Sequence, residues 1–424
     1  MSQAESQPTP RPPRTRHLGA LRHRNYRLFF GGQVVSTVGT WMQSIAQPWL
    51  VLQLTHSGFW VGVVLAAQFT PVLVAGPLGG VVADRFSKRR VLLVTQACYM
   101  IPAFALFLVS ATHVAQVWMV LLAAVAVGCI NVFDMPTRQS FVIEMVGRED
   151  LMNAIALNSS VFNGASVLGP SVAGVLIGAV GVPICFFINS LSYLAALTAL
   201  LLMRNLPRLV GEPRQPLLDR IREGARYARG DPVVGMMLVA VAVFSLFAMN
   251  RLTLLPLFAD QVLRVGPAGF GFLMAAQGAG AVAAALSLAF LPPGYATGRR
   301  QFWVAVVWVL VLEAFSLSRS VPVSIVLLLL AGFGQMWFLA TANTRIQTIT
   351  PDRLRGRVMA LYGQALMGVG PLGSLQAGTL SVLFGAPWAM AIGAALAGLV
   401  LLGIRLARPA VFTLEAGDYP ANVT

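Results

Sequence analysis

The chain has 424 residues, of which 57% are hydrophobic and only 11% are Asp, Glu, Lys or Arg, and its mean hydropathy is +0.74. This composition excludes an ordinary soluble domain, because the apolar runs reach the roughly 20 residues that a membrane-spanning helix needs. The net charge of +15 does not indicate nucleic-acid binding, because nearly all the cations flank apolar runs. The sequence therefore predicts an all-α integral membrane protein that binds no nucleic acid.

The predicted elements follow one another in a regular order. Residues 1–25 are Pro- and Arg-rich, and we interpret them as a tail rather than a cleaved signal peptide, because a full-length apolar run follows. A polar stretch at 205–231 separates two sets of six spans, and a polar tail at 408–424 ends the chain. The twelve predicted spans are 26–54, 58–82, 90–111, 115–135, 153–179, 181–204, 232–261, 267–291, 302–318, 321–345, 357–383 and 385–407.

The cations predict the orientation of the chain in its membrane. If both termini are cytoplasmic, 27 of the 30 Lys and Arg residues fall in cytoplasmic segments. An excess of Lys and Arg in cytoplasmic loops is the main determinant of topology. We therefore expect a multi-pass protein of the inner (plasma) membrane, with both termini and the 205–231 loop in the cytoplasm and the lipid bilayer around it.

The two sets of spans repeat features at matching positions. Thr137-Arg138 recurs as Thr344-Arg345, 207 residues later, and Gly169-Pro170 recurs as Gly370-Pro371, 201 residues later. Repeats of this kind are typical of secondary transporters, whose substrate site lies between the repeats near the membrane midplane. The sequence predicts two pseudo-symmetric six-helix bundles, residues 26–204 and 232–407.

One short polar loop carries a recognisable motif. Gly80-x-x-x-Asp84-Arg85-x-x-Lys88-Arg89-Arg90 lies between two apolar runs and holds an acid and four cations in seven residues. It resembles the signature loop of the major facilitator superfamily, Gly-x-x-x-Asp-Arg/Lys-x-Gly-x-Arg/Lys-Arg/Lys, with Ser87 where the family usually has Gly. The alternative is a generic cytoplasmic loop whose cations reflect topology alone.

The resemblance implies a latch that closes the cytoplasmic side in the outward-open state. In the family, the loop acid caps the N-terminus of helix 11, where the helix dipole favours a negative charge. A loop cation also meets an acid at the end of helix 4, and Asp134, with Arg138 one turn on, occupies that place. Asp134 has two further interpretations, a proton carrier and a plain surface acid. The predicted latch comprises Gly80, Asp84, Arg85, Lys88, Arg89, Asp134 and Arg138.

The fifth span contains Ala165-x-x-x-Gly169-Pro170-x-x-Ala173-Gly174. This run is similar to the Gly-Pro motif in helix 5 of drug/proton antiporters, with Ala for Gly at two positions. Pro170 removes a helix hydrogen bond, and the small residues allow a neighbouring helix to approach closely. The motif, Gly169, Pro170 and Gly174, favours export; ordinary small-residue packing is the alternative.

Polar side chains within the spans predict the substrate cavity. Gln33, Thr37, Thr40, Ser44 and Gln47 follow helical spacing on the first span, so this face turns away from lipid. An Arg inside the seventh span indicates either an anionic substrate or a side chain that reaches the membrane surface. Interhelical hydrogen bonding is the alternative role for the glutamines. The predicted cavity residues are Gln43, Gln47, Asn250, Arg251, Gln277, Gln335, Asn343 and Gln364.

Several longer segments resemble the superfamily branch that includes the enterobactin exporter, namely residues 21–29, 134–139, 149–154 and 355–360. The resemblance implies a proton-coupled exporter of a small amphipathic molecule, such as a siderophore or drug, that works by alternating access. An importer or facilitator of a sugar or other nutrient, and a receptor or accessory protein without transport, are the alternatives. We expect a monomer that is not an enzyme and needs no cofactor or metal, because the sequence has no nucleophile–base pair, metal-ligand spacing or phosphate loop.

Overall fold

The computed structural model describes residues 19–147, 149–204, 217–292, 295 and 297–414. The remaining parts of the predicted tails and of the 205–231 loop lie outside these residues. The described residues form helices and no strands, as the sequence predicts. The α-helices are α1 (Arg24–Thr55), α2 (Gly58–Arg85), α3 (Lys88–Ala111), α4 (Val117–Val146), α5 (Leu151–Val180), α6 (Pro183–Leu202), α7 (Leu217–Gly230), α8 (Pro232–Phe247), α9 (Arg251–Leu257), α10 (Gly266–Phe290), α11 (Gly298–Leu317), α12 (Val321–Ile349), α13 (Asp352–Gly363), α14 (Gly370–Ala407) and α15 (Ala410–Thr413).

Ten helical segments of the described residues are long and apolar enough to cross a membrane. Helices satisfy their own backbone hydrogen bonds, which is the requirement that hydrocarbon places on a spanning segment. Large apolar side chains cover the outside of the molecule; Val74 and Leu317 are each 75% exposed. Monomeric soluble proteins rarely expose so large an apolar surface to water, so this surface faces lipid.

Two short π-helices interrupt the spans of the second half. Phe258–Val262 extends α9, and Gln364–Gly368 joins α13 to α14. The segment 232–262 therefore crosses as one broken span, and 352–407 supplies two spans that meet at Gly385. Together with α1 these segments follow the order of the twelve predicted spans, and the count of twelve stays a prediction.

The internal repeat is visible in two matching turns. Gly181, with φ 98°, separates α5 from α6, and Gly385, with φ 83°, divides α14 into two arms. In both places a proline follows two residues later, Pro183 and Pro387, and starts the next helix. Glycine can end the first helix with a positive φ because it has no Cβ to clash, and proline is favourable in the first turn of the next helix. The sequence analysis did not identify this pair, although both Gly-x-Pro triplets are present in the sequence.

The helices form two bundles, α1–α6 and α8–α14. Within the first, α2 packs on α4 and α1 on α6; within the second, α10 packs on α12 and α11 on α14. The bundles meet along two seams, α5 with α10 and α2 with α14. We call the end of the molecule that holds the α2–α3 turn at residues 86–87 the loop end, and the opposite end, with Gly181 and Gly385, the far end.

The predicted 205–231 loop contains a helix in its second part. Glu223 on α7 pairs with Arg357 and lies 3.2 Å from Arg353, both on α13. Burial, and then the nearby Asp231 carboxylate, raises the pKa of Tyr227 above its ordinary value. The Asp231 carboxylate also caps α8, accepting hydrogen bonds from the backbone N–H groups of residues 233 and 234 at 2.9 and 3.0 Å.

The beginning of the predicted 408–424 tail folds back onto the second bundle. Arg345, 4% exposed, donates to the carbonyl oxygens of Val411 (3.0 Å) and Leu414 (2.8 Å) and to Gln301 Oε1 (2.9 Å). Its counterpart in the sequence repeat, Arg138, bonds instead to a carboxylate on its own helix. The second bundle thus surrounds the repeated arginine with main-chain oxygens of the C-terminal segment.

The packing of α2 on α4 generates a test. A Cβ at Gly79 would overlap the carbonyl oxygen of Val132, whereas no heavy atom of the described residues lies within 4 Å of a Cβ at Gly80. We expect Gly79→Ala to push the helices apart at a cost of about 1–3 kcal/mol, and so to lower the apparent melting temperature of the purified protein by several degrees. Gly80→Ala is the matched control and should melt like the wild type; equal melting of all three proteins would contradict this packing.

Candidate functional site

The cations of the signature loop bind two different helices of the first bundle. Lys88 Nζ lies 2.5 Å from Glu144 Oε1 near the end of α4. Arg89 donates to the carbonyl oxygens of Leu200 and Leu201, at 2.7 and 2.9 Å, and so stabilises the C-terminal end of α6. Glu144 is an acid at the end of helix 4 that the sequence analysis missed. A contact of a loop cation with Asp134 stays a prediction.

The carboxylate of Asp134 is enclosed rather than exposed. It is 4% exposed, and this burial excludes the plain surface acid. Arg138 donates twice to Oδ2, at 2.9 and 2.6 Å, and Thr95 and Gln96 on α3 donate to Oδ1 at 2.7 and 2.9 Å. Hydrogen bonds that satisfy both oxygens are what a buried ion pair needs in a low-dielectric interior.

A cavity at the loop end of the first bundle reaches this ion pair. Three of its lining side chains are polar: Gln33 on α1, Gln96 on α3 and Arg138 on α4. Gln96 and Arg138 are the same groups that hold the Asp134 carboxylate. The remaining lining side chains are apolar, so the ion pair lies beside a small, mostly apolar cavity inside the bundle.

A second polar network crosses the first bundle. Asn189 Nδ2 donates to Gln43 Oε1 at 2.5 Å, Gln43 Nε2 lies 3.4 Å from Gln47 Oε1, and Gln47 Nε2 donates to Gln68 Oε1 at 3.2 Å. Gln43 and Gln47 are 8% and 3% exposed. In this structure they form the interhelical bonding that the sequence left as the alternative. Their lining of a substrate cavity stays a prediction.

The network continues through two stacked tyrosines. Asn189 Nδ2 lies 3.4 Å from Tyr193 Oη, and the Tyr193 ring stacks on Tyr99 with centroids 5.5 Å apart. Tyr99 Oη donates to Asn131 Oδ1 at 2.8 Å, three residues before Asp134 on the same helix. Polar groups therefore run from α2 through α1, α6 and α3 to α4. No helical spacing in the sequence marks Tyr99, Asn131, Asn189 and Tyr193 as a set.

The predicted motif of the fifth span lies at the seam between the bundles. A Cβ at Gly174 would stand 2.9 Å from the Gly271 Cα, and a Cβ at Gly271 would overlap the Pro170 carbonyl oxygen. Farther along, a Cβ at Gly278 would be 2.7 Å from the Ser166 carbonyl oxygen. Gly169 instead packs on Trp41 of α1, within its own bundle. The α10 glycines complete this seam, and sequence reasoning did not select them.

The second seam, between α2 and α14, is also a close contact that depends on glycine. A Cβ at Gly62 on α2 would overlap the carbonyl oxygen of Ser374 on α14, and a Cβ at Gly58 would overlap the Ser381 hydroxyl. Both seams run from the far end to the middle of the membrane-spanning helices. Toward the loop end, no heavy atom of the described residues lies within 4 Å of a Cβ at Gly80 or Gly363. The bundles are thus closed at the far end in this structure.

The predicted cavity residues of the second bundle lie in different places. Gln277 Nε2 donates to Gln335 Oε1 at 3.1 Å, so these two meet between α10 and α12. Asn250 Nδ2 donates to the Leu246 carbonyl oxygen at 2.8 Å at the break between α8 and α9, where half-buried Arg251 starts α9.

Two further predicted residues stand apart from these. Asn343 Oδ1 accepts from Gln347 Nε2 at 2.5 Å on its own helix. Gln364 is exposed and lies beside Gly368, where a Cβ would be 2.9 Å from Leu73 Cδ1 of the other bundle. Among the eight predicted residues, Gln364 is therefore the one that these contacts place between the bundles.

The Asp134–Arg138 pair generates a stability test. Asp134→Asn leaves the half-buried Arg138 charge without its carboxylate; breaking a buried pair typically costs about 3–5 kcal/mol, and the 27% exposure of Arg138 places this loss at the low end. We expect a clear fall in the apparent melting temperature of the purified protein. Asp134→Asn/Arg138→Gln removes both charges and should melt above the single variant. Asp352→Asn, at an exposed pair, should be close to wild type; a double variant no more stable than the single one would contradict the assignment.

Comparison with known proteins agrees with this architecture. Residues 15–422 match the family described as transmembrane secretion effector. The multidrug efflux pump Tap of Mycolicibacterium fortuitum is 27% identical over 361 residues, which cover 81% of this chain and 86% of Tap. The enterobactin exporter EntS of Escherichia coli O1:K1 is 25% identical over 406 residues, which cover 95% of each protein.

The fold has a close counterpart among solved structures. A bacterial homologue of the human lysosomal transporter Spinster, inward-facing and unoccupied, has a TM-score of 0.68 at 16% identity, with 95% of this chain and 97% of that one covered. The sequence-based assignment to the superfamily is confirmed. The chain belongs to the transmembrane secretion effector family, within the major facilitator superfamily of membrane transporters.

Proposed function

We propose that the protein is a proton-coupled exporter of a small amphipathic molecule, such as a siderophore or a drug, that works by alternating access. The observation that carries the direction of transport is similarity along most of the chain to two exporters, a drug pump and a siderophore exporter. The Gly-Pro motif on α5, which forms a bundle seam, supports the same direction.

The proposed setting follows the charge distribution. The protein lies in the inner membrane with the loop end in the cytoplasm, so that the 1–25 tail, the 205–231 loop and the 408–424 tail are cytoplasmic. Residues 26–204 and 232–407 are the two moving bundles. With the far end closed, the conformation described here is inward-facing, ready to take substrate from the cytoplasm. The working unit is a monomer, with the substrate, protons and bilayer lipid as its partners.

Proton coupling rests on the buried pair in the first bundle. Protonation of Asp134 would remove the charge that holds Arg138, and the partial exposure of Arg138 beside the small cavity supports access of protons to the pair. A neutral Asp134 would also accept weaker hydrogen bonds from Thr95 and Gln96 on α3, which couples protonation to the contact between α3 and α4. Asp84, exposed in this conformation, engages the start of α13, which is the loop-end N-terminus of the eleventh predicted span, when the loop end closes.

Export can be measured directly in inverted membrane vesicles that contain the protein. We expect uptake of a siderophore or a cationic dye into the vesicles when a proton gradient is imposed, and collapse of this uptake when an ionophore dissipates the gradient. Asp84→Asn should reduce uptake at least tenfold without changing the amount of folded protein, because the loop end no longer latches. Equal flux in both directions without a gradient would identify a facilitator, and binding without flux a receptor; either outcome would overturn the proposal.

The α5–α10 seam predicts how substitutions shift the conformation. A Cβ at Gly174 meets the Gly271 backbone in the closed far end, whereas a Cβ at Gly178 makes only an ordinary contact, 3.7 Å from Ala268 Cβ. We expect Gly174→Ala to open the far end and to raise the rate at which Ala275→Cys reacts with a membrane-impermeant thiol reagent from the periplasm; residue 275 lies one turn from Gly271 on α10, already carries a Cβ and is 7% exposed. Gly178→Ala should react like the parent carrying the same cysteine. Equal reaction rates in the parent and Gly174→Ala would contradict this role for the seam.

A further inference from the structure

A corner at the loop end of the second bundle collects cations without acids. Arg299 and Arg300 start α11, and Arg405 and Arg408 end α14. The sequence holds no Asp or Glu between Asp260 and Glu313, nor between Asp352 and Glu415. Within the described part of the chain, no carboxylate pairs with these four arginines. We call them the arginine corner.

Contacts between the two helices bring these cations together. Arg405 Cζ lies 5.9 Å from the centroid of the Phe302 ring, and Phe302 is three residues after Arg299, on the same face of α11. Arg408 follows Arg405 by the same interval. The two helices touch farther along, where a Cβ at Gly398 would be 3.1 Å from Val309 Cγ1. These contacts place the start of α11 next to the end of α14.

Aromatic rings hold the guanidinium groups at the boundary of the apolar surface. The Arg300 guanidinium stacks on the Tyr295 ring at 3.7 Å and donates to the Tyr295 carbonyl oxygen at 2.8 Å. Trp303, next to Phe302, is 56% exposed. Exposed Trp beside Arg is typical of the level of lipid headgroups, where the ring lies in the interface and the cation meets phosphate. Arginine donors also match the oxygens of a phosphodiester.

We propose that the arginine corner binds the headgroup of an anionic phospholipid. The corner offers several positive charges to an anion, with no carboxylate of the described residues paired to them, and the exposed Trp303 lies where acyl chains pass. The bilayer supplies phosphodiesters at this depth, so a lipid headgroup is the source that the geometry favours over free phosphate. The site belongs to the second bundle alone and does not depend on the direction or coupling of transport.

Lipid binding can be measured by native mass spectrometry of the purified protein with added phosphatidylglycerol or phosphatidylcholine. Arg299→Gln/Arg405→Gln should weaken phosphatidylglycerol binding on the order of 25-fold, since two interfacial cations are lost, and leave phosphatidylcholine binding unchanged. Arg222→Gln/Arg226→Gln is the matched control, because it removes two exposed cations from α7 at the same end. It should bind both lipids like the wild type.

Three outcomes would overturn the proposal: equal binding by wild type and Arg299→Gln/Arg405→Gln, equal weakening by both double variants, or displacement of phosphatidylglycerol by inorganic phosphate at the same concentration. Arg299→Lys/Arg405→Lys keeps the charge and should retain binding within a few fold, which separates loss of the site from loss of fold. The fluorescence of Trp303 is the difference between the tryptophan fluorescence of the wild type and that of Trp303→Phe. Brominated phosphatidylglycerol should quench this fluorescence more than brominated phosphatidylcholine does. Equal quenching by the two lipids would also contradict the site.

Discussion

Two apolar helices in lipid gain nothing from leaving water, so their contact depends on how closely their backbones can pack. The seams between the bundles satisfy this condition with glycine. On α5 and α10, Gly174 faces Gly271, and on α2 and α14, Gly62 faces the Ser374 backbone. Such contacts are short in range and are lost as soon as the helices separate. A seam of this kind can close tightly at one end of the molecule and still part in another conformation, which alternating access requires.

The charged groups of the first bundle lie in two places, one inside the bundle and one at its surface. The Asp134 carboxylate lies within one bundle with both oxygens bonded: Arg138 of the same helix donates to one oxygen, and Thr95 and Gln96 donate to the other and so join α3 to α4. The cations of the signature loop lie at the surface and reach Glu144 and the end of α6. These contacts tie α3 to α4 and to the end of α6 within the first bundle.

The two bundles use the repeated arginine differently, although they share a fold. Arg138 has a carboxylate four residues before it, whereas Thr341 occupies the equivalent place before Arg345. In the second bundle, carbonyl oxygens of residues 411 and 414 bond to the guanidinium instead. The first bundle therefore bonds the repeated arginine to a carboxylate of its own helix, whereas the second bonds it to main-chain oxygens of the C-terminal segment and to Gln301.

The sequence by itself determined the class of the protein, the order of its spans, the repeat and the signature loop. These depend on hydropathy, on the position of cations and on short motifs, all of which are local properties of the chain. Only the tertiary structure decided which polar groups meet. Gln43 and Gln47 have the spacing of a cavity face, yet they bond to Asn189 and Gln68, which are distant in sequence. Likewise Gly271 and Gly278 look like any other small residues until α10 lies against α5, because a close approach is a property of two helices and not of one.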